Sequence, residues 1–172
     1  MADQSHLHML EQGIDAWNQW RQEHHTVQID FSGADFRGAS LRRVNLSGAR
    51  MNGADLSGAD LGESLLSKAD LSEANLSHAN LISADLNGTI LRAAILSDAN
   101  LSAAILSEAD VRDADLRGAL LTGADLAGAN FSGANLSDAD LSGVDLSRAT
   151  LKGSRLSNAY FRHRSDTEEE WA

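Results

Sequence analysis

Every fifth residue from Phe31 to Phe161 is a large apolar side chain, and the register never slips. These 27 positions hold 21 Leu, four Phe, Met51 and Val111. All four Phe of the chain fall on this one phase. Two residues before each lies a small partner, Ala in 21 of the 27 repeats. A typical stretch, Ala54 to Leu61, reads Ala-Asp-Leu-Ser-Gly-Ala-Asp-Leu. Neither the helical period nor the strand period fits a spacing of five, so the pattern predicts neither an amphipathic helix nor a simple alternating strand. A fixed short repeat predicts a solenoid.

The period also constrains the shape of each turn of that solenoid. In an extended segment Ala54 and Leu56 point the same way while Asp55 points the other way. Ser57 and Gly58 must then turn the chain so that Ala59 and Leu61 again point inward. Four such corners close a square of about 20 residues, and the repeats fill about seven coils stacked at the ~4.8 Å strand spacing. Leu or Phe fills the centre, and Ala lets opposing walls approach. Gly and Asp or Asn suit the corners, and the absence of Pro suits coils that need backbone donors almost everywhere.

The run Ala-(Asp/Asn)-Leu-Xaa-Xaa, continuous over residues 29 to 163, resembles the pentapeptide-repeat family. The resemblance implies an all-β solenoid, a right-handed quadrilateral β-helix; the handedness comes from the resemblance alone. The N-terminal stretch Trp17-Asn18-Gln19-Trp20 beside near-perfect repeats resembles cyanobacterial members that carry an N-terminal helical cap.

Residues 1–26 break the repeat and read as helix. Leu7, Leu10, Ile14 and Trp17 form one apolar stripe at helical spacing, with Asp3 or Ser5 capping the start and Gly13 weakening the middle. Since a solenoid needs its ends covered, this stripe is expected to be a structural cap over the first coil. The expected organisation is a helical cap over 1–26, the β-helix over 27–163 and an acidic tail over 164–172. After Tyr160 and Phe161 come Arg162-His163-Arg164 and a tail bearing Trp171, too short for a second cap helix. Either Trp171 folds back, or two molecules stack end to end through the last coil; monomer and C-terminal-coil homodimer both stay open.

Charge narrows the function. The net charge of −11 argues against direct nucleic-acid binding and against anionic membranes. With no Cys there is no disulfide framework or thiolate metal site. No secretory signal pattern and no apolar run long enough for a membrane span is evident, so the expected location is cytoplasmic. Charge is also uneven: residues 51–147 hold 15 acidic and four basic residues, whereas the flanking segments nearly balance.

Catalytic chemistry finds no foothold. No nucleophile elbow or phosphate-cradling loop occurs, and Ser mostly follows the core Leu, where the corner uses it. His6, His8, His24, His25, His78 and His163 lack zinc-site spacing and read as surface residues. Asp occupies the outward middle position of 11 repeats, and its phase is that of the repeat. It reads as solvated or turn-bonded rather than as acid–base or calcium chemistry. No cofactor, no metal and no enzymatic activity is expected.

Apolar residues at the outward position break the pattern: Leu65, Ile90, Ile95, Ile105 and Leu120. Three isoleucines replace Asp or Asn within four repeats, with Ile82 and Thr89 nearby. Ile90, Ile95 and Ile105 are the candidate partner-binding patch, and the expected role is a rigid protein–protein interaction scaffold. The alternative is DNA mimicry, an inhibitor of DNA gyrase, which the resemblance offers and the acidic midsection suits. Against it, no C-terminal helical element and no loop inserted between coils is evident.

Overall fold

The computed structural model describes residues 2–161. Helix α1 (Gln4–Glu11) and helix α2 (Ile14–Glu23) come first, and a β-helical rod follows. The five-residue period becomes a four-sided coil because outward residues form parallel bridges with the residues 20 positions later, from Asp30 to Asp140 with Asp125 alone excepted. Asp30 pairs with Arg50, Arg50 with Asp70, and Asp70 with Ile90. Four such columns start at Asp30, Asp35, Ser40 and Asn45. They define the first to fourth walls of the rod in chain order.

Each corner is a tight turn. Ala34 N–H donates to the Phe31 carbonyl at 3.0 Å, closing a four-residue turn whose third residue, Gly33, has φ +66°. Positive φ at that place with this hydrogen bond marks a type II turn. Positive φ recurs at every fifth residue from 33 to 143 and resumes at 153. Thirteen of these sites are not Gly, among them Lys68, Glu73, Ala93 and Ala103. An L side chain in this conformation costs about 1–2 kcal/mol. Most of these residues lie between 63 and 113, where Gly88 is the only glycine at a corner's left-handed site. The repeat thus holds its geometry through the stacked coils even where the corner residue opposes it locally.

The outward Asp and Asn side chains serve the corners. Asp55 Oδ1 accepts the Ser57 N–H at 3.0 Å, and Asn75 Oδ1 accepts the Ser77 N–H at 3.1 Å. Such Asx turns are local and repeat along the rod. Inside, Leu56, Leu76, Leu96 and Leu116 are fully buried. Ser64 and Thr89 replace the small Ala and are buried too; Thr89 Oγ1 donates to the Leu66 carbonyl at 2.8 Å.

The cap is two helices rather than one. Gly13, at φ +110°, ends the first helical run and starts the second, which a single apolar stripe does not anticipate. Asp3 is the N-cap of α1, its Oδ1 accepting the Ser5 N–H at 2.8 Å. Leu10 and Trp17 are buried, and Leu7 and Ile14 are half-buried against the same core. Three side chains of α2 also complete the hydrogen bonds of the first coil edge. Trp17 Nε1 donates to the Asn45 carbonyl at 2.8 Å. Asn18 acts as a stand-in peptide group: its Nδ2 donates to the Arg43 carbonyl at 2.9 Å, and its Oδ1 accepts the Asn45 N–H at 2.8 Å. Arg21 is buried and donates to the carbonyls of His24, Val27 and Ser47, and burial lowers its pKa. His6 is buried as well, edge-on to Phe31 at 6.3 Å, so it is not the surface histidine the sequence suggested. Its Nδ1 accepts the Asp30 N–H, with 3.4 Å between the nitrogens.

At the far end the core loses cover. Val144, Leu146, Leu151 and Leu156 are half-buried, and Tyr160 and Phe161 are about half exposed (53% and 52%). Arg162, His163, Arg164 and Trp171, and with them the acidic tail, lie outside the described residues.

Candidate interaction surface

A bridged column puts every twentieth outward residue on one wall, so the wall of any outward residue follows from its number. Ile90 stands on the first wall between Asp70 and Asp110. Ile95 stands on the second wall between Asn75 and Asp115. Ile105 and Leu65 share the fourth wall, with Asp85 between them, and Leu120 is on the third. All five are exposed, and so is Ile82 at the corner between the third and fourth walls.

The three isoleucines therefore stand on three walls rather than on one flat face. Ile90 and Ile95 flank a single corner, at Arg92 and Ala93. Ile105, ten residues beyond Ile95, is two corners further round and faces away from Ile95, while its fourth wall adjoins the first, so that Ile90 lies diagonally across one corner from it. Wrapping the sequence at 20 residues per coil already puts Ile90 and Ile95 on adjacent faces and Ile105 one coil above Asp85, diagonal to Ile90, and the bridged columns have the same arrangement.

The two sides differ in how their carboxylates are met. On the first and second walls arginines pair with acids. Arg92 Nε and Arg112 Nη2 each lie 2.6 Å from Asp110 Oδ2, and Arg117 Nη2 lies 2.6 Å from Asp115 Oδ2. The Arg117 hydrogen bond holds the Asp115 carboxyl below its ordinary value. Lower on the second wall, Arg37 binds Asp35 through two nitrogens and holds its pKa at about 2. On the third and fourth walls the corresponding contacts are to hydroxyls, amides and the backbone. Asn80 Nδ2 donates to Asp60 Oδ1 at 2.8 Å, and Ser107 Oγ donates to Asp125 Oδ2 at 2.7 Å. Glu63 is the exception, held by Arg42 and Arg43 of the preceding coil.

Among the described residues, no group of three or more His, Cys, Asp and Glu side chains is placed to hold a metal ion. An open cleft of about 260 Å³ lies between α1 and the first coil, lined by Leu7, Leu10, Phe36 and Leu41, with Glu11 and Asp35 at its rim. No helix among the described residues is long and apolar enough to cross a membrane.

The chain belongs to the pentapeptide-repeat family. The family model for pentapeptide repeats, in eight copies, matches residues 29–67, 54–92, 94–133 and 124–163. The chain is similar to a pentapeptide repeat protein from the cyanobacterium Cyanothece, with 30% identity and a TM-score of 0.51 over 84% of this chain and 97% of that one. It is also similar to one from the Arabidopsis thaliana thylakoid lumen, with 34% identity and a TM-score of 0.57 over 58% of this chain and 70% of that one. HetL, a pentapeptide repeat protein involved in heterocyst differentiation regulation in Nostoc, shares 34% identity over 76% of this chain and 73% of its own, with a TM-score of 0.46. No protein of curated function matches the chain. The fold of these relatives, a right-handed quadrilateral β-helix with an N-terminal helical cap, is the fold of this chain.

Proposed function

We propose that this chain is a non-enzymatic interaction scaffold, a rigid rod that holds a protein partner through side chains on its outer walls. One observation carries the reading: exposed Leu and Ile occupy outward positions where Asp or Asn otherwise serves the corner. Replacing a turn-bonding Asp with Ile forfeits an Asx hydrogen bond and exposes apolar surface, a combination the fold itself does not require. Catalysis has little support, because the acids stand on convex walls and are engaged with corner N–H groups and arginines.

A cytoplasmic location belongs to the same reading, and so does a choice between monomer and homodimer through the last coil. The half-exposed Leu146, Leu151 and Leu156 favour the homodimer. Analytical ultracentrifugation decides between them.

The second reading is gyrase inhibition by DNA mimicry, favoured by the acidic excess of residues 51–147. A supercoiling assay with an unrelated protein of similar charge as control separates the two. Specific inhibition at micromolar concentration supports mimicry. No inhibition, together with retention of a partner from an extract of the source organism, supports the scaffold. Loss of that retention in Ile90→Asn/Ile95→Asn or in Ile82→Ser/Ile105→Asn locates the wall; retention unchanged in both pairs defeats the role of the outward aliphatics.

A further inference from the structure

Compare the same five levels of the rod on its two sides. On the first and second walls, residues 70–75, 90–95, 110–115, 130–135 and 150–155 hold five acids and four Lys or Arg. On the third and fourth walls, residues 60–65, 80–85, 100–105, 120–125 and 140–145 hold six acids and no Lys or Arg. The aliphatics are uneven rather than divided: Ile90 and Ile95 stand on the first and second walls, and the other four lie on the opposite side. Leu65, Ile82, Ile105 and Leu120, each 40–43% exposed, all lie on the third and fourth walls or the corner between them.

We infer that the third and fourth walls, with their shared corner, form a docking face for a cationic amphipathic segment of a partner protein. The inference rests on the scaffold reading and names the side and the chemistry. Leu65, Ile82, Ile105 and Leu120 step across the corner over three coil spacings, about 14 Å along the axis. That length matches two to three turns of a helix at about 5.4 Å each. At its left-handed positions the corner carries only small residues, Ser83, Ala103 and Gly123, so that apart from Ile82 little projects from it against a segment lying across. Around the aliphatics stand Asp60, Asp85, Asp125 and Asp140. Lys68 and Arg148 sit round the next corner, and Arg42 and Arg43, already on Glu63, close one end. An apolar stripe flanked by Lys or Arg therefore meets both surfaces at once: its apolar side covers the four aliphatics and its cations reach the four aspartates. The opposite side offers less of this complementarity: it carries four Lys or Arg of its own, only Ile90 and Ile95 as exposed aliphatics, and two of its acids, Asp110 and Asp115, already hold arginines.

The probe is a fluorescently labelled synthetic peptide of about five helical turns with Leu and Lys at amphipathic spacing, titrated by anisotropy. Two control peptides replace Leu with Ser or Lys with Glu. Saturable binding of the Leu/Lys peptide is expected, weakening with salt. The pair Ile82→Ser/Ile105→Asn is expected to weaken it about tenfold or more. Asp85→Asn/Asp125→Asn, which keeps an amide oxygen for each corner, is expected to weaken it and flatten the salt dependence. Ile90→Asn/Ile95→Asn is expected to leave it unchanged, and melting curves check that every variant is folded. Equal or greater loss in Ile90→Asn/Ile95→Asn would overturn the assignment of the side while leaving the scaffold reading standing. Equally tight binding of the Ser/Lys peptide, or no binding of the Leu/Lys peptide, would overturn the chemistry. Failure of the wild-type chain to retain any partner from an extract is a different outcome, and it defeats the scaffold reading itself.

Discussion

The two ends of the rod pose the same physical problem, and only one is solved among the described residues. A stacked coil offers its neighbour a row of N–H and C=O groups and a ring of apolar side chains, and the first and last coils lack a neighbour. At the N-terminal end α2 replaces that neighbour with side chains. Trp17 covers the core and also donates to Asn45, Asn18 imitates a peptide unit, and Arg21 gathers three carbonyls. At the other end Leu146, Leu151 and Leu156 remain half-buried. A helix can therefore terminate a β-solenoid by matching its hydrogen-bond pattern through side chains, without adding a strand.

The largest break in this contrast is Trp17→Ala. It removes a fully buried aromatic and the indole N–H together, and an unfolding free-energy loss of about 3–5 kcal/mol is expected from chemical denaturation. Next comes a pair of identical substitutions at different levels. Leu86→Ala, in the fully buried middle, is expected to cost about 2–5 kcal/mol, and Leu151→Ala less than half as much. Equal losses at the two sites would show that Leu151 is covered in solution, as an end-to-end dimer requires. Asn18→Ala is expected to cost about 1–2 kcal/mol by freeing the Arg43 carbonyl and the Asn45 N–H. Hydrogen exchange at the Asn45 amide should accelerate in that variant more than at Asn75, which keeps its neighbour coil.

The smallest effect is acid-dependent. Asp35 in the first coil titrates at about 2 because Arg37 binds it, against an ordinary value of 3.8. A lowered pKa stabilises the folded chain above the ordinary value, and the contribution fades as pH falls from about 3.8 through about 2. Carbon-detected NMR titration should give a native midpoint near 2, moving toward 3.8 in Arg37→Gln.

Much of this architecture was legible in the sequence, because the features that encode it are periodic. The spacing of five fixes which residues face inward and where the corners fall, and coordinates and sequence agree on both. The cap was legible as an apolar stripe, yet its break at Gly13 was not, nor were the roles of Asn18 and Arg21. Those depend on which groups of the first coil lack partners, a property of the assembled edge. The corner conformations at Lys68, Glu73 and Ala93 were hidden for a related reason: stacking imposes a left-handed backbone on residues that would not choose it alone. The outward isoleucines were legible as exposed residues, and the period of 20 was enough to assign each to its wall. Five residues turn one corner and ten reverse direction, so Ile95 and Ile105 face apart while Ile90 lies round one corner from each.

The order of the chain gives the N-terminal cap one more meaning. During synthesis the α1 and α2 segment leaves the ribosome before the coil it covers, so the first coil emerges beside the groups that complete its edge. Each later coil then finds the edge of its predecessor already presented, and contacts 20 residues back suffice to set its register. Growth in this sense is directional, like extension from a primer, and the only edge ever left waiting is the newest.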